Sequence, residues 1–295
     1  MKHCLGSHVS VAGGLHLGVQ RALEAGCDCL QIFTKNANAW AAKPLEPAAI
    51  TAWRESLQAS GLKHPIAHTS YLINLGTPDE TLFRKSIDAL VIEWERAEAL
   101  GLEGLVLHPG AYTTSDEESG VRRVVEGLIE AFSRSRPKLC RVLLENTAGQ
   151  GTTLGRQLDQ LGGLLDRATA AEPKCGAALG ICLDTCHAFA AGYPIHTDDG
   201  FRDFCQRIRD ELPADSVRAL HLNDSKKPLG SRVDRHEHIG RGELGLETFR
   251  RLLAHPQLGR LPGYLETEKG IDPESGRDWD QINLEALRSL DQPVV

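Results

Sequence analysis

"RVLLENT" (residues 141–147) is a short apolar run that ends in a carboxylate. A run of this length, rich in branched aliphatic residues, is typical of a β-strand. Successive side chains of a strand point to opposite faces, so Glu145 shares a face with the apolar Leu143. The stretch therefore predicts a strand that carries an inward-facing ionisable group at its C-terminal end.

Seven further apolar runs repeat this organisation along the chain. They span residues 3–9, 29–34, 64–70, 104–110, 179–187, 217–224 and 263–267. The segments between them, such as 79–100 and 246–255, carry apolar residues at helical spacing. Eight strand–helix units in 295 residues give about 37 residues per unit, a length that suits βα repeats.

A single domain accounts for this pattern. The composition does not shift along the chain and no linker rich in Pro or Ser interrupts it, so residues 1–295 are predicted to form one domain. The predicted fold class is α/β, a (β/α)8 TIM barrel. An open, doubly wound sheet is the alternative, because periodicity does not show whether the sheet closes.

Ionisable side chains recur in phase with the predicted strands. Six of them lie at or near strand C-termini, 37 to 45 residues apart: His68, His108, Glu145, Asp184, His221 and Glu266. In a parallel barrel these ends meet at one mouth, where the active sites of such barrels lie. A single histidine there is more often structural, but burying six ionisable groups together without a cation would be very costly. The pattern therefore predicts a metal site at the C-terminal face of the strands.

The types of ligand narrow the choice of metal. Imidazole and carboxylate groups suit zinc, iron or manganese, whereas shells of oxygen alone suit magnesium or calcium. His187 follows Asp184 by three positions, just past a predicted strand end, and joins the candidate ligands.

The region 223–245 joins the seventh and eighth predicted strands and shows almost no regular pattern. A structureless stretch of that length inside a compact domain is usually functional. It should arch over the barrel mouth, where "DRHEHIGRGELG" (234–245) would bring Asp234 and His236 to a metal that the strand ends do not enclose. A solvated polar loop is the alternative.

Composition limits the class of protein. With 41% hydrophobic and 25% charged residues, the chain is typical of a globular protein. No apolar run approaches a membrane span and residues 1–14 contain no signal-type apolar core, so we expect no membrane partner, no export and a cytoplasmic location. The eight cysteines, without a C-x-x-C pair, are predicted to be reduced thiols. The formal charge of −7 argues mildly against a polyanionic partner.

Five motifs occur in the order "LHPG", "LLENTAGQG", "GICLDTCHAFAAGY", "HLNDSK" and "DRHEHIGRG". They resemble the signature segments of the endonuclease IV family, and the resemblance extends to "SHVSVAGG", "FTKN", "SYLINLG" and "LET", essentially the whole chain. It implies a TIM-barrel hydrolase, a zinc-dependent apurinic/apyrimidinic endonuclease that acts as a monomer. Such an enzyme cleaves double-stranded DNA 5′ to an abasic site and leaves a 3′-hydroxyl and a 5′-deoxyribose phosphate.

The resemblance also implies three zinc ions per chain. His68, His108 and Glu145 would bind the first zinc, Glu145, Asp184, His221 and Glu266 the second, and His187, Asp234 and His236 the third. Glu145 would bridge two ions and orient the attacking group, which makes it the expected catalytic residue. Three Zn²⁺ would bring the formal charge from −7 to −1. His238 falls outside the ligand set, and His8 is either a structural residue or an outer partner of the metal site.

DNA contacts are expected around the barrel mouth. Five basic residues of the 223–245 region are candidates for phosphate contacts: Lys226, Lys227, Arg232, Arg235 and Arg241. Lys35 of "FTKN" is expected on the same rim, although surface lysines are usually only solvated. Tyr71 matches an aromatic residue that the family uses at the opened abasic site, with ordinary packing as the alternative. Asn38 departs from the family, in which an arginine at this position enters the base stack.

Two other functions fit part of the pattern. A divalent-metal sugar isomerase or epimerase on a TIM barrel would use Glu145, Asp184, His221 and Glu266 and would leave the other five candidate ligands unexplained. A non-catalytic zinc-stabilised or DNA-binding module would be expected to hold zinc in closed tetrahedral sites rather than in a cluster. Counting metals and assaying nicking of abasic DNA would separate the three.

Overall fold

The computed structural model describes residues 3–290, and eight of its strands close into a parallel barrel. The ten strands within this range are β1 (Leu5–His8), β2 (Cys29–Phe33), β3 (Lys63–His68), β4 (Gly104–Leu107), β5 (Arg141–Glu145), β6 (Leu179–Asp184), β7 (Val217–His221), β8 (Asp224–Ser225), β9 (His236–Glu237) and β10 (Gly263–Leu265). All except β8 and β9 belong to the barrel. The predicted (β/α)8 barrel is confirmed; the ends of the predicted domain, 1–2 and 291–295, lie outside the described residues.

Each barrel strand pairs with its neighbours in sequence, and β1 pairs with both β2 and β10 to close the ring. The register aligns the C-terminal ends of the strands: Asp184 lies beside His221, and Phe33 beside His68. Because the strands are parallel, their C-terminal side chains gather at one mouth. The barrel thus brings together residues that are far apart in sequence.

Ten α-helices lie within the described range. They are α1 (Leu15–Glu24), α2 (Pro47–Ser60), α3 (Glu80–Leu100), α4 (Glu117–Ser135), α5 (Leu158–Ala171), α6 (Pro173–Ala177), α7 (Thr185–Ala191), α8 (Asp198–Glu211), α9 (Gly245–Ala254) and α10 (Trp279–Ser289). Local chemistry sets their ends: Asp79 accepts a hydrogen bond from the Leu82 N–H at 2.8 Å, and Gly101 ends α3 at φ 73°. The predicted segments 79–100 and 246–255 agree with α3 and α9.

The apolar core has two parts. Inside the barrel, one small cluster contains Cys29, Ile66, Val106, Leu143, Cys182, Ala219 and Tyr264. A larger cluster fills the space between the sheet and the helices, where Trp53 and Trp94 are completely buried. Leu143 therefore points inward, as predicted, and Glu145 lies two residues further along the same face. The interior cluster supports the strand ends that carry the polar groups.

The structure corrects the description of the 223–245 region as structureless. Strands β8 and β9 pair antiparallel, with Asp224 opposite Glu237 and Ser225 opposite His236. Two-residue strands with a polar sequence give no periodic signal, which explains why the sequence did not predict them. The predicted barrel strands were also up to three residues too long at their C-terminal ends, where the polar mouth residues begin.

Two expectations from composition can be compared with the described residues. All eight cysteines are free thiols, as expected. None of the helices between residues 3 and 290 combines the length and the apolar character needed to cross a lipid bilayer.

Candidate metal centre

Nine side chains converge at the C-terminal mouth of the barrel. They form three groups, and within each group one potential ligand atom per residue lies within 4.8 Å of the others. The groups are His68, His108 and Glu145; Glu145, Asp184, His221 and Glu266; and His187, Asp234 and His236. All nine were singled out from the sequence, and Glu145 belongs to two groups.

The first group surrounds one oxygen of Glu145. The Nε2 atoms of His68 and His108 lie 3.2 and 2.9 Å from Glu145 Oε2. His68 ends β3, and His108 directly follows β4, so neighbouring strands present both rings. His68 and Glu145 are buried, whereas about a third of the His108 side chain is exposed. This group therefore opens towards solvent on the His108 side.

The second group lies deeper and uses the other oxygen of the same glutamate. His221 Nδ1 lies 2.7 Å from Glu145 Oε1, 3.2 Å from Glu266 Oε2 and 3.9 Å from Asp184 Oδ2. Three carboxylates thus face a single imidazole nitrogen. Glu145, Asp184 and His221 are almost completely buried at the ends of adjacent strands.

The third group combines a helix and the 223–245 loop. Asp184 caps α7 by accepting the His187 N–H at 2.7 Å, which fixes the helix that carries His187. From the loop, Asp234 places its two oxygens 3.1 Å from His187 Nε2 and 3.2 Å from His236 Nε2. This group depends on the loop for two of its three members.

Burial and charge act on these groups in opposite directions. Burial raises the pKa of Glu145, but His221 and His108 outweigh this effect and hold its pKa well below the ordinary value. Burial lowers the pKa of His187, but Asp184 and Asp234 raise it well above the ordinary value. Without a metal, the lowered pKa favours the anionic form of Glu145 and the raised pKa favours the protonated form of His187. A divalent cation would replace that proton.

Hydrogen bonds aim the imidazole rings in a way that fits a metal. The Nδ1–H groups of His68 and His187 donate to the carbonyls of Thr69 and Asn146, at 2.7 and 2.9 Å. This leaves each Nε2 facing a carboxylate. His187 Nε2 and His236 Nε2 are buried 3.1 and 3.2 Å from the Asp234 oxygens, but neither contact has the geometry of a hydrogen bond. Such orphaned nitrogens are costly unless a cation lies between them and the carboxylate oxygens. The residues present therefore fit metal ions.

Comparison with known proteins places the chain in a family. Residues 19–290 match the family described as xylose isomerase-like TIM barrel. The chain is 45% identical over 286 residues to "Probable endonuclease 4" of Citrifermentans bemidjiense, covering 97% of this chain and 98% of the relative. It matches the crystal structure of endonuclease IV from Thermus thermophilus with a TM-score of 0.83 and 36% identity, covering 97% and 98% of the two chains.

The chain belongs to the endonuclease IV family. Its assignment as an endonuclease, made from the sequence motifs, is thereby confirmed. A D-tagatose 3-epimerase-like protein also matches, with a TM-score of 0.67 and 18% identity, covering 97% and 96% of the chains. At that identity the likeness shows a shared barrel fold and nothing about the reaction.

Three polar residues hold the candidate metal ligands in place. The sequence analysis did not identify them. Gln31 donates to Glu266 Oε1 at 2.5 Å, and its Oε1 accepts from His221 Nε2 at 2.9 Å. The Asn146 side chain bonds both the N–H and the carbonyl of Asp184. Asn223 donates to the Asp184 carboxylate and accepts the Glu266 N–H at 2.8 Å. The sequence signal was a polar residue inside or just after an apolar run.

Two histidines outside the nine ligands have other roles in the structure. His8 Nδ1 lies 2.9 Å from Gln31 Nε2 and 3.4 Å from Glu266 Oε1, so His8 is an outer neighbour of the second group. The His238 ring stacks on Trp279 at 3.8 Å, and its Nδ1 accepts a hydrogen bond from the Asn283 amide. His238 belongs to none of the three groups.

A cysteine also approaches the centre. Cys186, Asp184 and His236 form a further set whose potential ligand atoms lie within 4.8 Å. The Cys186 thiol donates to the Arg235 carbonyl, and burial raises its pKa to about 12. A thiol in that state is a poor zinc ligand compared with the surrounding imidazoles and carboxylates.

Tyr71 and Lys35, the two residues predicted to contact DNA, differ in their exposure to solvent. Tyr71 is 64% exposed at the mouth, with its ring 5.6 Å from that of His68. Lys35 does not lie on the rim, contrary to the sequence prediction. Its side chain is only 3% exposed, and its ammonium lies 3.2 Å from the buried Glu93 and donates to the Ala39 carbonyl. The expected rim position of Lys35 is therefore corrected, because its ammonium is already paired inside the protein.

Proposed function

We propose that the protein hydrolyses the phosphodiester bond 5′ to abasic sites in double-stranded DNA, leaving a 3′-hydroxyl and a 5′-deoxyribose phosphate, with three zinc ions. The observation that carries the proposal is the arrangement of nine ligands in three groups, two of which share Glu145. Membership of the endonuclease IV family supports DNA as the substrate. We also propose that the enzyme acts as a cytoplasmic monomer.

The donor set is the reason for naming zinc. Five imidazoles and four carboxylates make up the nine ligands, a mixture that zinc accepts and that magnesium and calcium disfavour. When bound, zinc lowers the pKa of water to about 7 and neutralises phosphate charge. The protein supplies ligands already aimed by hydrogen bonds from Gln31, Asn146 and Asn223.

Glu145 has the central part in this proposal. Its two oxygens face different groups, and its charge is maintained by His221 and His108 despite complete burial. With metal ions bound in both groups, Glu145 would be a ligand common to the two and would face the attacking group. We therefore propose it as the catalytic carboxylate.

Selectivity for a missing base is supported by the space beside the centre. A cavity of about 220 Å³ is lined by His108, His187 and Asp234 together with Tyr71 and Gln150. We propose that this space, which lies directly beside the candidate ligands, receives a sugar-phosphate that has lost its base.

Phosphate contacts come from the exposed face of the 223–245 loop. Its five basic residues are exposed to solvent: Lys226, Lys227, Arg232, Arg235 and Arg241. They form a local positive surface at the mouth despite the net charge of −7. Tyr71 remains the proposed aromatic contact at the opened site.

The experiment combines a metal count with a nicking assay. Purified protein should hold close to three zinc ions per chain and should nick a duplex with one synthetic abasic site, but not the same duplex with the base restored. Full activity with about one metal per chain would refute the trinuclear proposal. Epimerisation of a ketose by the same preparation, without nicking, would instead establish the sugar epimerase alternative.

A further inference from the structure

Asp224 is a buried carboxylate that belongs to none of the three groups. It accepts four backbone hydrogen bonds, from Ser225 at 2.8 Å, Leu244 at 2.9 Å, Gly240 at 3.0 Å and Gly242 at 3.1 Å. It is completely buried, and all four of these donors are backbone N–H groups. A buried charge stabilised by backbone N–H groups alone fixes the segment that supplies them.

Asp224 forms hydrogen bonds on both sides of the segment that carries the candidate ligands Asp234 and His236. Its own strand, β8, pairs with β9, which begins at His236. Its side chain holds the turn at residues 240–244, which follows β9. Asp234 and His236 therefore lie in a segment whose C-terminal side is tied to this one residue.

The glycines of "GRG" (240–242) fit this arrangement. A Cβ atom on Gly242 would lie 2.4 Å from the Ser225 carbonyl oxygen and 2.6 Å from Asp224 Oδ1. Gly240 has φ 76°, a conformation that L side chains rarely adopt. The backbone can approach the carboxylate only because these positions lack side chains. The glycine-rich stretch after the two ligands is thus the partner of Asp224.

An outer anchor supports the same turn from the other direction. Asn283 of α10 accepts the Ile239 N–H at 3.0 Å and donates to His238 at 3.1 Å. On the N-terminal side of Asp234, the N–H groups of Gly230 and Arg232 donate to the carbonyls of Phe189 and Ala190 in α7, at 3.1 and 2.9 Å. On the C-terminal side, the segment is held by the contacts of residues 236–244 with Asp224 and Asn283.

We propose that Asp224 is a positioning residue that sets Asp234 and His236 at the third metal group. This inference rests on the proposed function, in which that group binds zinc. Asp224→Asn keeps the size of the side chain but replaces one acceptor oxygen with an NH2 group, which cannot accept the N–H bonds made to that oxygen. Gly242→Ala adds a methyl group that would clash with the same carboxylate, and it changes no charge.

The first test measures zinc content in zinc-buffered solution for the folded variants. Asp272→Asn is the matched control, because Asp272 is also buried and accepts backbone hydrogen bonds from Glu274 and Ser275 in a turn without candidate ligands. At limiting free zinc, wild type and Asp272→Asn should retain three ions, whereas Asp224→Asn and Gly242→Ala should retain two. Their affinity for the third ion should fall roughly 10- to 100-fold, and excess zinc should restore nicking.

The second test does not depend on the number of metals. Four exposed trypsin sites lie in the loop, at Lys226, Arg232, Arg235 and Arg241. With zinc bound, Asp224→Asn and Gly242→Ala should be cut at these four sites severalfold faster than wild type and Asp272→Asn. The rest of the chain should resist trypsin equally in all four proteins. If wild type itself holds fewer than three zinc ions, the proposed function fails, and the trypsin comparison still decides the role of Asp224.

Three results would overturn the inference. One is unchanged third-ion affinity and unchanged trypsin sensitivity in both variants. A second is the loss of all three ions together, which would show a general effect on the barrel. The third is failure of both variants to fold by circular dichroism while Asp272→Asn folds, which would make Asp224 a core residue and not a positioning one.

Discussion

The barrel strand ends and the 223–245 loop both supply candidate metal ligands, but they hold them differently. Glu145, Asp184 and His221 are almost completely buried on a hydrogen-bonded ladder of adjacent strands. In the loop, the side chain of Asp234 is 37% exposed and that of His236 is 16% exposed. Two groups are therefore built by the fold itself, whereas the third requires a loop to be ordered.

This difference predicts the order in which metals are lost. Opening the first two groups requires separation of barrel strands, which costs a large part of the global stability. Opening the third requires only local movement of the loop. The third ion should therefore leave first, and changes at the strand ends should have larger effects than changes in the loop.

The largest effect is expected at the shared carboxylate. Glu145→Gln removes the charge that faces both strand-end groups but keeps the shape of the side chain. Loss of an outer partner of a metal ligand typically costs 10- to 100-fold in activity, so loss of this shared ligand should cost more than about 100-fold. Single-turnover nicking measures the effect, and circular dichroism checks the fold.

Glu103→Gln is the control for this substitution, because Glu103 is an exposed glutamate that precedes β4 at the other end of the barrel. It should nick at the wild-type rate. A Glu145→Gln rate within a few fold of wild type would show that the strand ends are not the dominant part of the centre.

A smaller and more selective effect is expected in the loop. His236→Ala should weaken the third ion about 10- to 100-fold and leave the other two in place. His238→Ala should change the metal content far less than His236→Ala, because His238 belongs to none of the three groups. It should lower the stability by about 1 kcal/mol, because its ring stacks on Trp279. Metal analysis after brief chelation and thermal unfolding measure the two effects. Equal effects of the two substitutions on metal content and rate would contradict the assignment of His236.

The strand-end groups also predict opposite pH dependences with and without metal. The pKa values of His68 and His221 are raised in the metal-free protein, so their contribution to stability is complete below the unfolded value of about 6.5. It is lost as the pH rises through the raised values. The pKa of Glu145 is lowered, so its contribution is present above about 4.5 and is lost as the pH falls through the lowered value.

Denaturant midpoints from pH 5.5 to 8.5 test this prediction. In the presence of a chelator, the denaturant midpoint should fall as the pH rises. The free energy of unfolding should fall by about 1.4 kcal/mol for each unit by which folding raises the pKa of a histidine. In excess zinc, the midpoint should rise over the same range, because metal binding requires deprotonated imidazoles. Parallel curves under the two conditions would show that the histidines are not held as the structure places them.

The smallest effect is expected on the rim. Asn38 is exposed, and an arginine there should tighten binding to abasic duplex by about 1 kcal/mol or less if its charge stays exposed. The salt slope of affinity should steepen by about one unit, and single-turnover cleavage should stay near the wild-type rate. Salt titrations of wild type and Asn38→Arg on the same duplex measure this. Identical affinities and slopes would show that this loop does not reach the DNA.

The sequence by itself determined the repeat of strand–helix units and identified the candidate ligands, whereas closure of the sheet into a barrel was left to the tertiary structure. Strand alternation and a repeat of about 37 residues are local properties, so they remain legible without coordinates. They placed Glu145 on the inward face with Leu143 and put Asp184 and His221 at the same mouth. The loop was also identified as functional, because a long polar stretch with Asp234 and His236 has no packing explanation.

Tertiary structure decided what those side chains face. The sequence placed Lys35 on the rim, but Glu93, 58 residues away on α3, draws its ammonium inside. Likewise, nothing local indicates that Gln31 fixes His221 or that Asp224 binds the turn after β9. These contacts join distant segments, and they form only when the barrel closes and buries polar groups that must then find partners.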